Sequence, residues 1–344
     1  MINKLYLLLI TLFLSSYFYS IVEEDPLPTL GDYSSASISL SGEYELGRLW
    51  LAMYRGSTKE HSDPLMRTYL EDLIYRLSET SEVRDRRFEF IILEDESINA
   101  FAAPGGIIGI NLGMFLNTKR EGELASVMCH ELAHLSQRHY ARSQNRSSPL
   151  ANALMILGSI AVAAASRNPE AIVIAPAAMQ QMSINYTRSN EKEADRIGFN
   201  NLVKAGFDPN DMTMMFQRMQ DKYQREDSEQ FSYLMTHPLP SERLTDMRIR
   251  ADNISKPSEG SFRDNLDFYF MQKRSEIWAE KDTKELIKKY KKDLESDQRN
   301  VSLSSKYGLA LALKKEKKYE ESFKILRELI KESPNNLVLE SSLM

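Results

Sequence analysis

The chain has 344 residues, 42% hydrophobic and 27% charged, enough apolar material for a sizeable core and a soft indication of two domains. These values exclude a disordered tail, a collagen-like repeat and a polytopic membrane protein. With 44 basic residues against 49 acidic ones, the net charge of −5 gives no support for nucleic-acid binding, and the single cysteine, Cys129, excludes an intrachain disulfide.

At the amino end, Lys4 precedes an apolar run from Leu5 to Tyr19, which reads as a secretory signal over residues 1–20. The run is short for a transmembrane helix, and its cleavage site is poor, so an uncleaved anchor is the alternative. In either case the remainder is exported. Residues 21–42, rich in Ser, Pro, Gly and acidic residues, read as a linker. Helical spacing follows from Glu43 to Leu77. Phe88–Leu93 reads as a strand, and Ile98–Ala102 and Ile107–Ile110 read as two more around the turn Pro104-Gly105-Gly106. A helix is predicted over Glu121–Ser143. Two Ala-rich segments, Leu150–Ser166 and Ala171–Met182, are read as buried core helices, with a membrane-surface contact through 150–182 as the alternative. Another helix is expected from Asn190 to Ala205, then a Pro-rich loop at His237-Pro238-Leu239-Pro240.

Near residue 257 the composition shifts to Lys/Glu-rich helical patterns. Residues 303–336 resemble one tetratricopeptide unit, preceded by an irregular helical pair over 265–300. One such unit cannot bury its face alone. The expectation is therefore a truncated repeat array or a partner covering its end.

The chemistry is concentrated in His130-Glu131-Leu132-Ala133-His134. On a helix, positions four apart lie about 40° from each other around the axis. Both imidazoles then face one point and can bind zinc. Glu131, about 100° round from His130, flanks that point and can serve as general base. The surrounding Leu124, Val127, Met128, Leu132 and Leu135 make this a core-packed helix, where two unpaired histidines would be costly. A catalytic zinc takes a third protein ligand. Glu191, in Glu191-Lys192-Glu193-Ala194-Asp195, is the best candidate and Glu193 its competitor. Asp195 shares a face with Glu191 and can accept from the outer nitrogen of a ligand histidine.

Four stretches together resemble the zinc metallopeptidases related to CAAX-prenyl endopeptidases and the bacterial heat-shock membrane protease. They are Asn99-Ala100-Phe101-Ala102 with Pro104-Gly105-Gly106; His130 to His134 continuing to Arg138-His139; Glu191 to Asp195 with Arg196-Ile197-Gly198; and Thr236 to Pro240 with Arg243. The resemblance implies an α+β, mostly α fold, a zincin-like (gluzincin) metallopeptidase domain over 43–256. A short tetratricopeptide-like helical region would follow over 257–344. It implies one zinc, Glu191 as third ligand, Asp195 as a histidine-holding or proton-donating residue, and His237 and Arg243 above the metal. His237 is read as a fourth ligand that gates the site; the alternative is an oxyanion donor. Arg243 would accompany the loop and meet the oxyanion. The Asn99–Ile110 segment would be an edge strand pairing with extended substrates. The implied activity is periplasmic peptide-bond hydrolysis in unfolded or misassembled outer-membrane proteins, with the β-barrel assembly machinery as partner. A chaperone or adaptor with dormant proteolysis is the rival. His139 is read as structural, His61 as surface and Cys129 as a buried small residue.

Overall fold

Helix α1 (Leu40–Ser57) starts where the side chain of Ser39 accepts from the Gly42 N–H, inside the stretch read as linker. The computed structural model describes residues 38–144, 187–225, 232–254, 262 and 264–343. The signal at 1–20 and the apolar segments within 150–182 lie outside them. No helix among the described residues is long and apolar enough to cross a membrane.

The predicted helix over 43–77 is two helices. Asp63 caps α2 (Pro64–Thr80) through the Leu65 and Met66 N–H groups, with Pro64 at its first position. Proline is suited to that position and pushes the residue before it out of helical conformation, so the chain must restart here. Strands β1 (Glu89–Leu93), β2 (Ala100–Ala103) and β3 (Ile107–Asn111) form one sheet in the order β1-β3-β2. β1 pairs parallel to β3, and β2 antiparallel to it with Ala100 opposite Ile110. Gly105 and Gly106, at φ 75° and 77°, close the β2–β3 turn in a region that side chains disfavour. Of the Asn99–Ile110 segment expected at the edge, only β2 is an edge strand in its pairing, whereas β3 is the central strand; all four residues of β2 are buried.

After α3 (Leu112–Asn117) comes α4 (Glu121–Ser136), every residue of which is buried from Glu121 to His134. Two of its buried acids are paired, Glu121 with Tyr69 and Arg76, and Glu123 with Arg218 and the Lys119 N–H. The helix predicted to reach Ser143 instead stops at Ser136 and restarts as α5 (His139–Gln144). The break is at Arg138, held at φ 48° while its guanidinium bonds Glu43 and the Ile38 carbonyl. Helices α6 (Arg188–Lys204) and α7 (Asn210–Arg225) pack on α4. The short α8 (Ser232–Thr236) and α9 (Ser241–Asp252) flank the Pro-rich loop.

The carboxy-terminal part is helical throughout: α10 (Leu266–Ala279), α11 (Thr283–Asp293), α12 (Arg299–Lys315), α13 (Tyr319–Glu332) and α14 (Leu337–Leu343). α12 packs against α10, α11 and α13, and α10 rests on α2 and α3. Phe268, Tyr307, Ala310 and Leu326 belong to the same apolar cluster as Leu70, Leu124 and Met128. Arg274 reinforces the junction by bonding Asp63 and Tyr307.

Candidate metal centre

Two helices build the centre. On α6, Glu191, Asp195 and Gly198 fall at i, i+4 and i+7, one stripe facing α4. A Cβ on Gly198 would stand 2.9 Å from the His130 nitrogen and 3.0 Å from the Cys129 carbonyl. Glycine there lets the backbones approach, which brings Glu191 within reach of both histidines.

His130 Nε2 lies 3.0 Å from His134 Nε2, 3.4 Å from His237 Nδ1 and 3.5 Å from Glu191 Oε2. Glu191 Oε1 is 3.4 Å from His134 Nε2 and 3.1 Å from His237 Nδ1. A tetrahedron with bonds of about 2.1 Å has edges of about 3.4 Å, so these separations match a four-coordinate zinc. The four side chains are buried, and their ligand atoms all lie within 4.8 Å of one another. Three imidazoles and a carboxylate also suit zinc by type. The cluster fits a single zinc ion.

The supporting residues are as specific. His130 Nδ1 lies 3.0 Å from Asp195 Oδ1. Arg243 forks onto Asp195 through Nε and Nη2 at 2.6 and 2.7 Å. Its Nη1 reaches the Pro238 carbonyl at 2.6 Å and Glu191 Oε2 at 2.9 Å. Arg243 therefore binds the acid and the loop together, and in this state its fork is turned to Asp195. Neither oxygen of Glu131 has a hydrogen-bond partner among the described residues. The nearer one stands 3.6 Å from His237 Nε2.

Burial pushes His130 down, but the hydrogen bonds and charges of Asp195 and Glu191 prevail and carry it up to about 9. Burial would raise Glu191, yet His237, His130 and His134 hold it well below the usual carboxylate range. Burial keeps His134 neutral and raises Glu131.

All seven residues singled out, His130, Glu131, His134, Glu191, Asp195, His237 and Arg243, gather in this one place. Glu193 does not join them: its Oε2 meets His139 and Arg142 instead. His139 does more than fill space. The break at Arg138 turns its Nδ1 to 2.8 Å from His134 Nδ1, so it bears on a metal-facing ring. His61 is not a surface residue; it is half-buried, 3.2 Å from Glu94 and edge-on to Trp278. Cys129 is buried as expected. Tyr233 went unnoticed in the sequence. Its ring stacks on His237 at 4.6 Å, and the only cue was an aromatic residue four positions before that histidine.

Residues 64–251, more than half of the chain, match peptidase family M48. The chain is 36% identical over 325 residues to the putative beta-barrel assembly-enhancing protease of Vibrio cholerae, covering 92% of this chain and 66% of that protein. It is 34% identical over 323 residues to the beta-barrel assembly-enhancing protease of Escherichia coli K12, covering 91% and 64%. The mitochondrial metalloendopeptidase OMA1 of Schizosaccharomyces pombe is 25% identical over 234 residues, 66% of each protein. The chain spans about two thirds of the length of the bacterial relatives. With the family's match covering α2 to α9 and the metal-facing residues all inside it, the chain belongs to peptidase family M48.

Proposed function

We propose that this chain is a zinc-dependent endopeptidase of the periplasm that hydrolyses peptide bonds in unfolded or misassembled proteins, outer-membrane β-barrel proteins among them. The observation that carries the reading is the buried four-donor cluster with the unpartnered Glu131 carboxylate beside it. Zinc bound there supplies carbonyl polarisation and an acidified water. Glu131 takes the water's proton and passes it to the leaving amine. Asp195 fixes the ring of His130, and Arg243 holds Asp195 in place. The names of the bacterial relatives support the client class and the assembly machinery as partner. The α12–α13 pair is the tetratricopeptide-like unit that would engage such partners.

His237 acts as a gate in this reading. As a fourth donor it closes the cluster, and a closed set leaves no position for water. The main chain of β2 is the surface on which an extended client would add as a strand, but β2 is buried in this state. In this reading the loop lifts from the metal position before a client is cut. Its outer side borders a cavity of about 500 Å³ lined by Tyr223, Leu234, Pro238, Leu239 and Pro240, which gives it room to withdraw.

The decisive experiment joins metal analysis to cleavage of an unfolded protein with and without chelator. One zinc per chain and chelator-sensitive cleavage are expected. Zinc-free protein that cuts nothing, yet keeps an outer-membrane protein from aggregating, would replace the enzyme with an adaptor.

A further inference from the structure

Tyr233 is buried on α8, one turn before His237, and takes no part in the chemistry above. Its hydroxyl has no hydrogen-bond partner among the described residues. A buried hydroxyl left unsatisfied is costly, as is a buried carboxylate. Here both occur around one imidazole. The phenol ring lies on the face of His237, ring centroids 4.6 Å apart and 24° from parallel, while Glu131 Oε1 faces His237 Nε2 at 3.6 Å. The Tyr233 ring also meets His130 edge-on at 6.5 Å. A donor and an acceptor, both without partners, thus border the metal-facing histidines. The group that would satisfy both has an acidic proton for Glu131 and a negative oxygen for Tyr233.

We propose that Tyr233 is a further catalytic residue, whose hydroxyl donates a hydrogen bond to the oxyanion formed as the client's peptide carbonyl is attacked. This inference rests on the endopeptidase reading. The water oxygen bonds to the carbonyl carbon, and its proton goes to Glu131. The carbonyl's π pair moves onto its oxygen, which the Tyr233 O–H holds without giving up its proton. When the carbon–nitrogen bond breaks, the oxygen's pair re-forms the carbonyl, and the departing nitrogen takes the proton from Glu131.

The backbone explains how Tyr233 can stay while His237 leaves. The Tyr233 N–H donates to the Ile98 carbonyl at 3.3 Å, tying it to the segment that enters β2. His237 lies at the far end of the helical turn and continues into the loop of Pro238 and Pro240, which the buried Arg243 holds through the Pro238 carbonyl. Lifting the loop removes the ring stacked on the phenol. The closed state therefore covers the oxyanion donor with the gate itself, and opening exposes donor and metal position together.

The test is Tyr233→Phe, which keeps the stacking ring and removes one oxygen. We expect kcat to fall at least about tenfold, where loss of a sole oxyanion donor costs about 100- to 1000-fold. KM should stay within about twofold and zinc content unchanged. Independently of turnover, calorimetry on the zinc-loaded protein should show a phosphinic peptide, a tetrahedral anion mimic, binding about tenfold more weakly to the variant. Equal kcat and equal phosphinic-peptide affinity would overturn the proposal, as would a loss of zinc that accounts for the whole drop. Glu131→Gln is run alongside. If it cuts like wild type, the endopeptidase reading itself fails. If it is inactive and Tyr233→Phe is not impaired, only the role of Tyr233 is lost.

Discussion

Where α4 meets α6, the contact carries His130, His134, Glu191 and Asp195, all fully buried. Where α12 meets α13, it carries Ala310, Leu326 and Leu329, with a buried hydrogen bond from Ser322 Oγ to the Ala310 carbonyl and an ion pair between Lys306 and Glu332 at the rim. Small residues permit close approach in both regions, between α4 and α6 at Gly198 and between α11 and α12 at Gly308. A Cβ on Gly198 would press on the His130 backbone, and one on Gly308 would reach the Tyr290 ring at 2.8 Å. The difference lies in what is enclosed. The α12–α13 contact buries mostly hydrocarbon, which is favourable by itself at about 25 cal/mol per Å². The α4–α6 interface buries charges that are costly unless paired or bound to a cation. Its stability is therefore tied to pH and metal in a way that the α12–α13 contact is not.

The strongest way to separate chemistry from architecture is Glu131→Gln. Glu131 packs in the metal core with His237 Nε2 at 3.6 Å, and neither of its oxygens makes a side-chain hydrogen bond among the described residues. Cleavage should drop by at least about 100-fold, the usual worth of a general base, with zinc content and melting temperature near wild type. Undiminished cleavage would remove Glu131 from the mechanism.

The second contrast is in pH. His130 sits at about 9 in the protein without metal, and a metal-binding imidazole must be neutral. Below that value protons compete with zinc, so affinity should fall by about tenfold per unit as pH is lowered from 8 to 6. Titration against a chromophoric chelator measures this; a flat profile would show that His130 does not ligate. The melting of the helical stack should not follow the same curve.

The two glycines sharpen the comparison directly. Gly198→Ala and Gly308→Ala should each cost about 1–3 kcal/mol, the usual penalty for overpacking. Only Gly198→Ala should also weaken zinc binding, since its Cβ displaces the helix carrying both histidines. Equal zinc affinity in the two variants would mean that the α4–α6 approach does not set the metal geometry.

A last contrast concerns Asp211, buried at the start of α7 against Gly122 of α4. Burial pushes its carboxyl up to about 7, against the pull of Arg120. The folded protein then holds a proton that the unfolded chain releases near pH 4. Stability should decline as pH rises between those values, by up to about 1.4 kcal/mol per unit. Asp211→Asn should flatten that slope. Denaturation at pH 5 and pH 8 tests it, and an unchanged slope would place the carboxyl in its ordinary range.

Much of the centre was legible because helical periodicity projects four- and seven-residue spacings onto one face. That holds for His130 with His134, and for Glu191 with Asp195 and Gly198. The three strands and the glycine turn between two of them were legible for a similar reason: short apolar runs around Pro104-Gly105-Gly106 admit few alternatives. The breaks at Asp63-Pro64 and Arg138 were missed for different reasons. The first is a local signal overlooked within a long periodic pattern. The second is nonlocal, since Arg138 is held in its left-handed conformation by Glu43 and Ile38, about a hundred residues away.

The sequence by itself determined the candidate metal donors, the candidate base and the helices that carry them, because local spacing and side-chain chemistry suffice for those. Only the tertiary structure decided that His139 turns onto His134, that Arg243 grips Asp195 rather than standing free, and that Tyr233 lies beneath His237. Each of these depends on elements far apart in the chain. Burial then makes every unpaired charge or hydroxyl costly enough to fix which partners meet.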